Sequence, residues 1–177
     1  MERGEPEEIV YMTESGYAEF SSSVPLHTFT GKSRHLVGMI DFNENVIDFY
    51  LDLSTIKTGI GRRDRDMYRT LNIDEFPFAE FTGKLELQVD PETNSRQHVT
   101  ADGEFTVHGV TRDVRINGYI EKQENGGLLL EAEWTLLLEN YEIEPPGILF
   151  YRVSDEQKIR IEVLLEPRKR EEVINGN

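Results

Sequence analysis

The sequence predicts an all-β domain, either a sandwich or an up-and-down barrel. Three observations carry this expectation. Apolar residues recur at every second position over most of the chain, turn residues punctuate these runs at short intervals, and one stretch alone departs from the alternation. A period of two marks a strand with one face buried and one in water.

The elements follow in chain order. Tyr17 to Ser22 directs Ala18 and Phe20 to one side, and Leu36, Gly38, Ile40 and Phe42 form the next apolar set. Val46 to Leu53 is unambiguous: Ile47, Phe49, Leu51 and Leu53 share one face, Asp48, Tyr50 and Asp52 the other. Phe81, Gly83, Leu85, Leu87 and Val89 come next, then Val99, Ala101, Gly103, Phe105 and Val107, then Val114, Ile116, Gly118 and Ile120. Leu130, Ala132, Trp134, Leu136 and Leu138 precede a final run of Ile159, Ile161, Val163 and Leu165. This amounts to about eight or nine strands, with turn signals at NEN, DPETNSR, HGVTRD and ENGG. The 177 residues suit a single domain, 1–177, with an ordered core over 8–166 and a loose tail over 167–177.

The exception is TGIGRRDRDMYRTLNIDEFPFAEF, Thr58 to Phe81, too long for a hairpin. On a helical projection Arg62, Arg65 and Arg69 fall together, while Met67, Tyr68 and Leu71 gather on another side. A helix of roughly two to three turns, ending before Pro77, is expected. Asp66 stands four residues after Arg62, the spacing of an ion pair across one turn. The arginines suit either a solvated helix face or contacts with an anionic head group at a barrel rim.

The formal net charge of -15, from 19 basic and 34 acidic residues, disfavours nucleic acid and anionic membrane surfaces as partners. No apolar run approaches the roughly 20 residues of a membrane-spanning helix. The absence of cysteine excludes disulfides, thiol catalysis and thiolate metal sites. The opening residues MERGEPEEIVYM lack a basic segment followed by an apolar stretch, so no secretory leader is expected within them. The compartment stays open: periplasmic or secreted if a leader has been removed, otherwise cytoplasmic.

His27, His35, His98 and His108 are scattered, without the close spacing of paired imidazole ligands, and read as surface residues. No glycine-rich phosphate loop and no Gly-X-Ser-X-Gly elbow occurs. The expectation is therefore no catalytic residue, no metal, no cofactor and no enzymatic activity. Outward Tyr50, Tyr119, Leu129 and Leu137 are candidates for an apolar patch suited to a homodimer. The small residues on the apolar faces, Gly38, Gly83, Gly103, Gly118, Ala18, Ala101 and Ala132, have two readings. They relieve crowding where strands bend, or they leave a lumen for an apolar guest.

The blocks FTGKSRHLVGMIDF, LDLSTIKTGIGRRDRDMYRTLNIDEFPFAEFTGKL, VTADGEFTVHGVTRDVRI and VSDEQKIRIEVLLEP together resemble the YceI-like family of polyisoprenoid-binding proteins, in order, over about residues 8–166. Asp113 stands where many relatives carry proline, and SSSVPLHTFTGKS is shorter and more polar than the matching region. The resemblance implies an antiparallel eight-stranded lipocalin-like up-and-down barrel with one short helix between strands near one end. It further implies a hydrophobic channel for a polyisoprenoid, an isoprenoid quinone or a fatty-acid-type lipid, held for sequestration or transport. On that basis Phe42, Phe49, Leu51, Phe81, Leu85, Phe105, Trp134 and Leu136 are the expected channel wall, with Met67, Leu71 and Phe76 at the helix-covered end. Arg62 and Arg65 are the candidate head-group contacts. The competing expectation is a barrel filled by its own side chains, acting as a structural or protein-interaction module.

Overall fold

The structure, a computed structural model, describes residues 7–86, 89–90, 92–145, 147–148 and 151–176. Its strands are β1 (Ile9–Val24), β2 (His27–Asp41), β3 (Val46–Asp52), β4 (Phe78–Leu85), β5 (Gln97–Val107), β6 (Val110–Lys122), β7 (Leu128–Leu137), the short β8 (Gly147–Ile148) and β9 (Tyr151–Arg152), and β10 (Glu156–Lys169). Helix α1 (Gly61–Leu71) joins β3 to β4, and α2 (Arg170–Asn175) follows β10.

Eight strands close a barrel in which β1 to β7 pair successively and β10 closes the ring between β7 and β1. Every pairing is antiparallel. The β8–β9 pair is a separate ribbon within the β7–β10 connection. Closure removes the exposed strand edges that an open sheet would present. The alternation expected of β3 holds, with Ile47, Phe49 and Leu51 buried and Asp48 and Tyr50 exposed.

Local chemistry sets the hairpins. His108 and Gly109, at φ 57° and 73°, connect Val107 to its partner Val110, which is the left-handed pair of a tight two-residue turn. Pro25 and Leu26 connect Val24 to His27, with Leu26 at φ 78° and its side chain wholly in water.

Two stretches differ from the sequence expectation. Strand β1 begins at Ile9, well before Tyr17, and its register with both neighbours shifts between Met12 and Ala18. Val10 and Tyr11 are consecutive yet both buried, so simple alternation fails near the start of the strand as well. At the other terminus, residues 167–169 continue β10, with Lys169 opposite Ile9, and α2 follows. Arg170 donates to Glu8 at 2.6 Å and to Glu44 at 2.5 Å and lies 3.5 Å from the buried carboxylate of Asp41. These contacts tether the segment that composition alone marks as a tail.

The strand directions define two ends. The lower end carries the chain termini and the β2–β3, β4–β5 and β6–β7 links; the upper end carries α1, the β1–β2 and β5–β6 turns and the β7–β10 connection. Ile40, Ile120, Leu128, Val163 and Leu165, each no more than 1% exposed, plug the barrel near the lower end. The upper rim is uneven, because β2 pairs with β3 only over Val37–Asp41 and above it keeps only its pairing with β1. There the segment before α1 takes over, exchanging backbone hydrogen bonds of 2.9 Å between Lys57 and Lys32.

Candidate functional site

Above the plug the barrel encloses a cavity of about 740 Å³. Its wall is predominantly apolar, with Ser22 and Gln157 among the few polar side chains on it, and exposed Ile60, Arg62 and Asp66 mark where it meets solvent beside α1. The volume lies within the roughly 300–1,000 Å³ span of small-molecule sites.

The space exists because of where the aromatic rings lie. Gly38 faces Phe49 across the β2–β3 ladder, and a Cβ on Gly38 would stand 2.1 Å from that ring. Gly31 relates in the same way to Phe20 on β1, again at 2.1 Å. Each glycine lets a ring lie flat against the wall instead of projecting into the lumen. Gly103 and Gly118 answer to a different demand: a Cβ there would stand 2.2 Å from the Thr82 carbonyl oxygen and 2.5 Å from that of Glu131. These two permit close strand approach. Both readings of the glycines thus apply, at different positions.

Seven of the eight expected wall residues, Phe49, Leu51, Phe81, Leu85, Phe105, Trp134 and Leu136, line the cavity. Phe105 forms the hub of an aromatic group, meeting Trp134 edge-on at 6.1 Å and Tyr141 at 5.7 Å between ring centroids. Burial pushes the Tyr141 phenol above its ordinary pKa. The eighth, Phe42, lies outside the lining; it follows β2 at the lower end and packs edge-on against Tyr11 at 5.7 Å. Its parity is that of the wall, but its height is that of the plug. Leu87 lies outside the described residues.

Helix α1 covers the upper end. Asp64 is buried beneath its first turn and accepts from the Thr58 amide at 2.8 Å and the Thr58 hydroxyl at 2.6 Å, tying the preceding glycine-containing loop to the helix. Tyr68 donates to the Ile56 carbonyl at 2.7 Å and accepts from Lys57 at 2.8 Å. That hydrogen bond raises the Lys57 ammonium above its ordinary pKa. Asn72, left-handed at φ 50°, ends the helix. Met67 and Leu71 thereby line the cavity. Phe76 does not; it turns to the β5–β6 hairpin and meets His108 edge-on at 5.8 Å.

Of the two candidate head-group arginines, Arg62 lines the mouth and Arg65 lies outside the lining. Arg63, which the sequence did not single out, also lines it, its guanidinium 4.5 Å from the centroid of the Phe29 ring. Asp66 pairs at 3.4 Å with Arg69 rather than with Arg62, and both partners are largely exposed. Such a pair adds little stability.

His98 stacks edge-on with Tyr119 at 5.6 Å, and the Nδ1–H of His108 donates to the Tyr141 carbonyl at 3.1 Å. Among the described residues no cluster of three or more His, Asp or Glu side chains is placed to hold a metal ion. The outward aromatics do not form one patch, since Tyr50 lies on β3 and Tyr119 on β6 with two strands between them. Arg96 also covers Tyr119, 4.3 Å from its ring centroid.

A closed eight-stranded antiparallel barrel with a helix across one end and an apolar interior defines a lipocalin-like architecture. A family model described as the YceI-like domain matches residues 13–165, and the chain belongs to that family. A polyisoprenoid-binding domain from Saccharophagus degradans, implicated in plant cell wall breakdown, superposes with a TM-score of 0.78 at 15% identity, over 90% of this chain and 98% of that one. BcnA of Burkholderia cenocepacia gives 0.69 at 12% identity, over 85% and 96% of the two chains. The YceI protein of Campylobacter jejuni gives 0.56 at 16% identity, over 85% and 81%. At these identities the likeness is one of fold. No curated relative matches the sequence.

Proposed function

We propose that this protein binds a long-chain hydrophobic molecule, a polyisoprenoid, an isoprenoid quinone or a fatty-acid-type lipid, inside the barrel and sequesters or carries it without altering it chemically. The observation that carries this reading is the cavity of about 740 Å³, walled by apolar side chains and opening beside α1. A barrel acting only through its outer surface has no need of such a space. Burial of about ten methylene groups at about 0.8 kcal/mol each contributes about 8 kcal/mol, the free energy of a roughly micromolar complex before association costs are subtracted. The description of the Saccharophagus degradans relative as polyisoprenoid-binding points to the same ligand class.

The test is the content of the protein as purified. Native mass spectrometry and solvent extraction recover a long-chain lipid, and an added isoprenoid changes the emission of Trp134, the single tryptophan and a wall residue. Exhaustive extraction that yields nothing, together with unaltered emission, overturns the reading.

Arg62 supplies the mouth with positive charge, and we assign it to the head group of those ligands that are anionic, with Arg65 one turn along as a longer-range contributor. Replacing both arginines by alanine lowers the affinity for a prenyl phosphate about tenfold relative to the matching prenol, as expected for loss of one charge-assisted hydrogen bond. An identical phosphate-to-prenol ratio in wild type and double variant means that the arginines meet only water.

A further inference from the structure

Two of the polar side chains that line the cavity sit on the apolar parity of their strands. Ser22 continues the inward series of Ala18 and Phe20, and Gln157 precedes the inward series Ile159, Ile161 and Val163. Ser22 stands opposite Gln157, and Gln157 opposite Leu136, so the three side chains occupy one level of the wall across β1, β10 and β7. Ser22 and Gln157 are 1% and 6% exposed, and both line the cavity.

The hydrogen bonds of Gln157 fix which way its amide points. Its Nε2 donates to the Ser22 hydroxyl oxygen at 2.9 Å and to the Ser154 carbonyl at 2.9 Å. A carbonyl only accepts, so the nitrogen must face Ser154, and rotation of the amide would set oxygen against oxygen. Both Nε2 hydrogens are therefore committed to protein. No hydrogen bond among the described residues reaches Oε1. No fully buried side-chain polar atom among them lacks a partner. The Gln157 oxygen, without a hydrogen bond among the described residues, is thus not fully enclosed, and its residue lines the cavity. It is an acceptor held in place at the wall of a mostly apolar cavity.

We infer that Gln157 Oε1, with the Ser22 hydroxyl beside it, forms a subsite for an uncharged hydrogen-bond donor, the terminal hydroxyl of a long-chain alcohol. This inference rests on the proposed lipid-binding role of the cavity. A buried acceptor left without a donor is unfavourable, so a guest that brings an O–H removes a defect that a hydrocarbon leaves in place. An alcohol fits both groups: its O–H donates to Oε1, and its oxygen accepts from the hydroxyl of Ser22, whose proton has no acceptor among the described residues. An ether accepts but cannot donate. A fully ionised phosphate or carboxylate offers only lone pairs to Oε1 and is left to Arg62 at the rim. The two contacts thus sort head groups by charge, neutral donors inside and anions at the mouth.

The test compares three guests of one chain length, geranylgeraniol, its methyl ether and the corresponding hydrocarbon, titrated into wild type and Gln157→Leu with Trp134 emission as the readout. Wild type binds the alcohol about tenfold more tightly than the ether, the effect of one buried hydrogen bond with its acceptor otherwise unsatisfied. In Gln157→Leu that preference disappears, while the hydrocarbon binds at least as well as before. Equal binding of alcohol and ether by wild type, or an undiminished alcohol preference in Gln157→Leu, overturns the subsite and leaves the lipid cavity standing. Binding of none of the three by wild type overturns the cavity reading and the subsite with it. The wild-type comparison stands by itself should the variant fail to fold.

Discussion

Replacement of Ala101 by phenylalanine weakens lipid uptake about a hundredfold and leaves the barrel folded. Ala101 lies on β5 between Leu85 of β4 and Ile116 of β6, and all three line the cavity. Its methyl group is one of the few small side chains on that wall, and a phenyl ring there projects into open space. If the ring displaces three or four methylene groups of the guest, the loss is about 2–3 kcal/mol, a roughly hundredfold weakening. Filling a cavity also tends to stabilise the protein by about 0.5–2 kcal/mol, so the melting temperature should hold or rise. The same enlargement at Gly103 tests nothing about the cavity, because its Cβ meets the Thr82 backbone and disrupts strand pairing. Titration of a fluorescent fatty acid into both proteins, with thermal denaturation alongside, checks the expectation. Unchanged uptake by a folded Ala101→Phe protein means that lipid does not occupy this space.

Replacement of Ile40 by alanine has the opposite profile. Ile40 is wholly buried, outside the cavity lining, and packed at the lower end where the barrel is solid. Truncating such a residue removes its transfer free energy and leaves a void that close-packed neighbours fill incompletely, at a cost of about 2–5 kcal/mol. For a chain of this length the melting temperature falls by about 10 °C. Lipid affinity per folded molecule stays within about twofold, because sites without shared partners act nearly independently. Circular dichroism melting and a binding titration below the transition separate the two quantities. A fall of less than about 2 °C means that the lower end is not a packed plug.

The contrast between these residues shows what a period of two conveys. Phe42 and Phe49 carry the same parity signal, yet one packs on Tyr11 and the other lines the cavity. Alternation reports the face of a strand and is silent on the height at which a residue sits along the barrel. Arg62 and Arg65 are likewise alike on a helical projection; only the seating of α1, held by Asp64, Tyr68 and the Lys57–Lys32 backbone pairing, places Arg62 at the mouth. Phe76 follows the helix in a loop that bears no period, and its direction depends on the β5–β6 hairpin it meets. The Ser22–Gln157 pair left a trace in the sequence, since both residues occupy positions where the alternation calls for apolar residues. That they face each other is a matter of register between strands 135 residues apart.

Side-chain alternation is local, arising from the pleat of each strand, and so the sequence by itself determined the all-β class, the inward faces and the helical excursion between β3 and β4. Its resemblance to a known family extended this to an eight-stranded barrel. Whether the interior is filled or open was decided only in three dimensions. Rings laid flat over glycines on neighbouring strands clear the upper half, and interlocked aliphatic side chains close the lower half. Both depend on residues distant in the chain meeting at one level of a closed sheet, and no local pattern encodes that level.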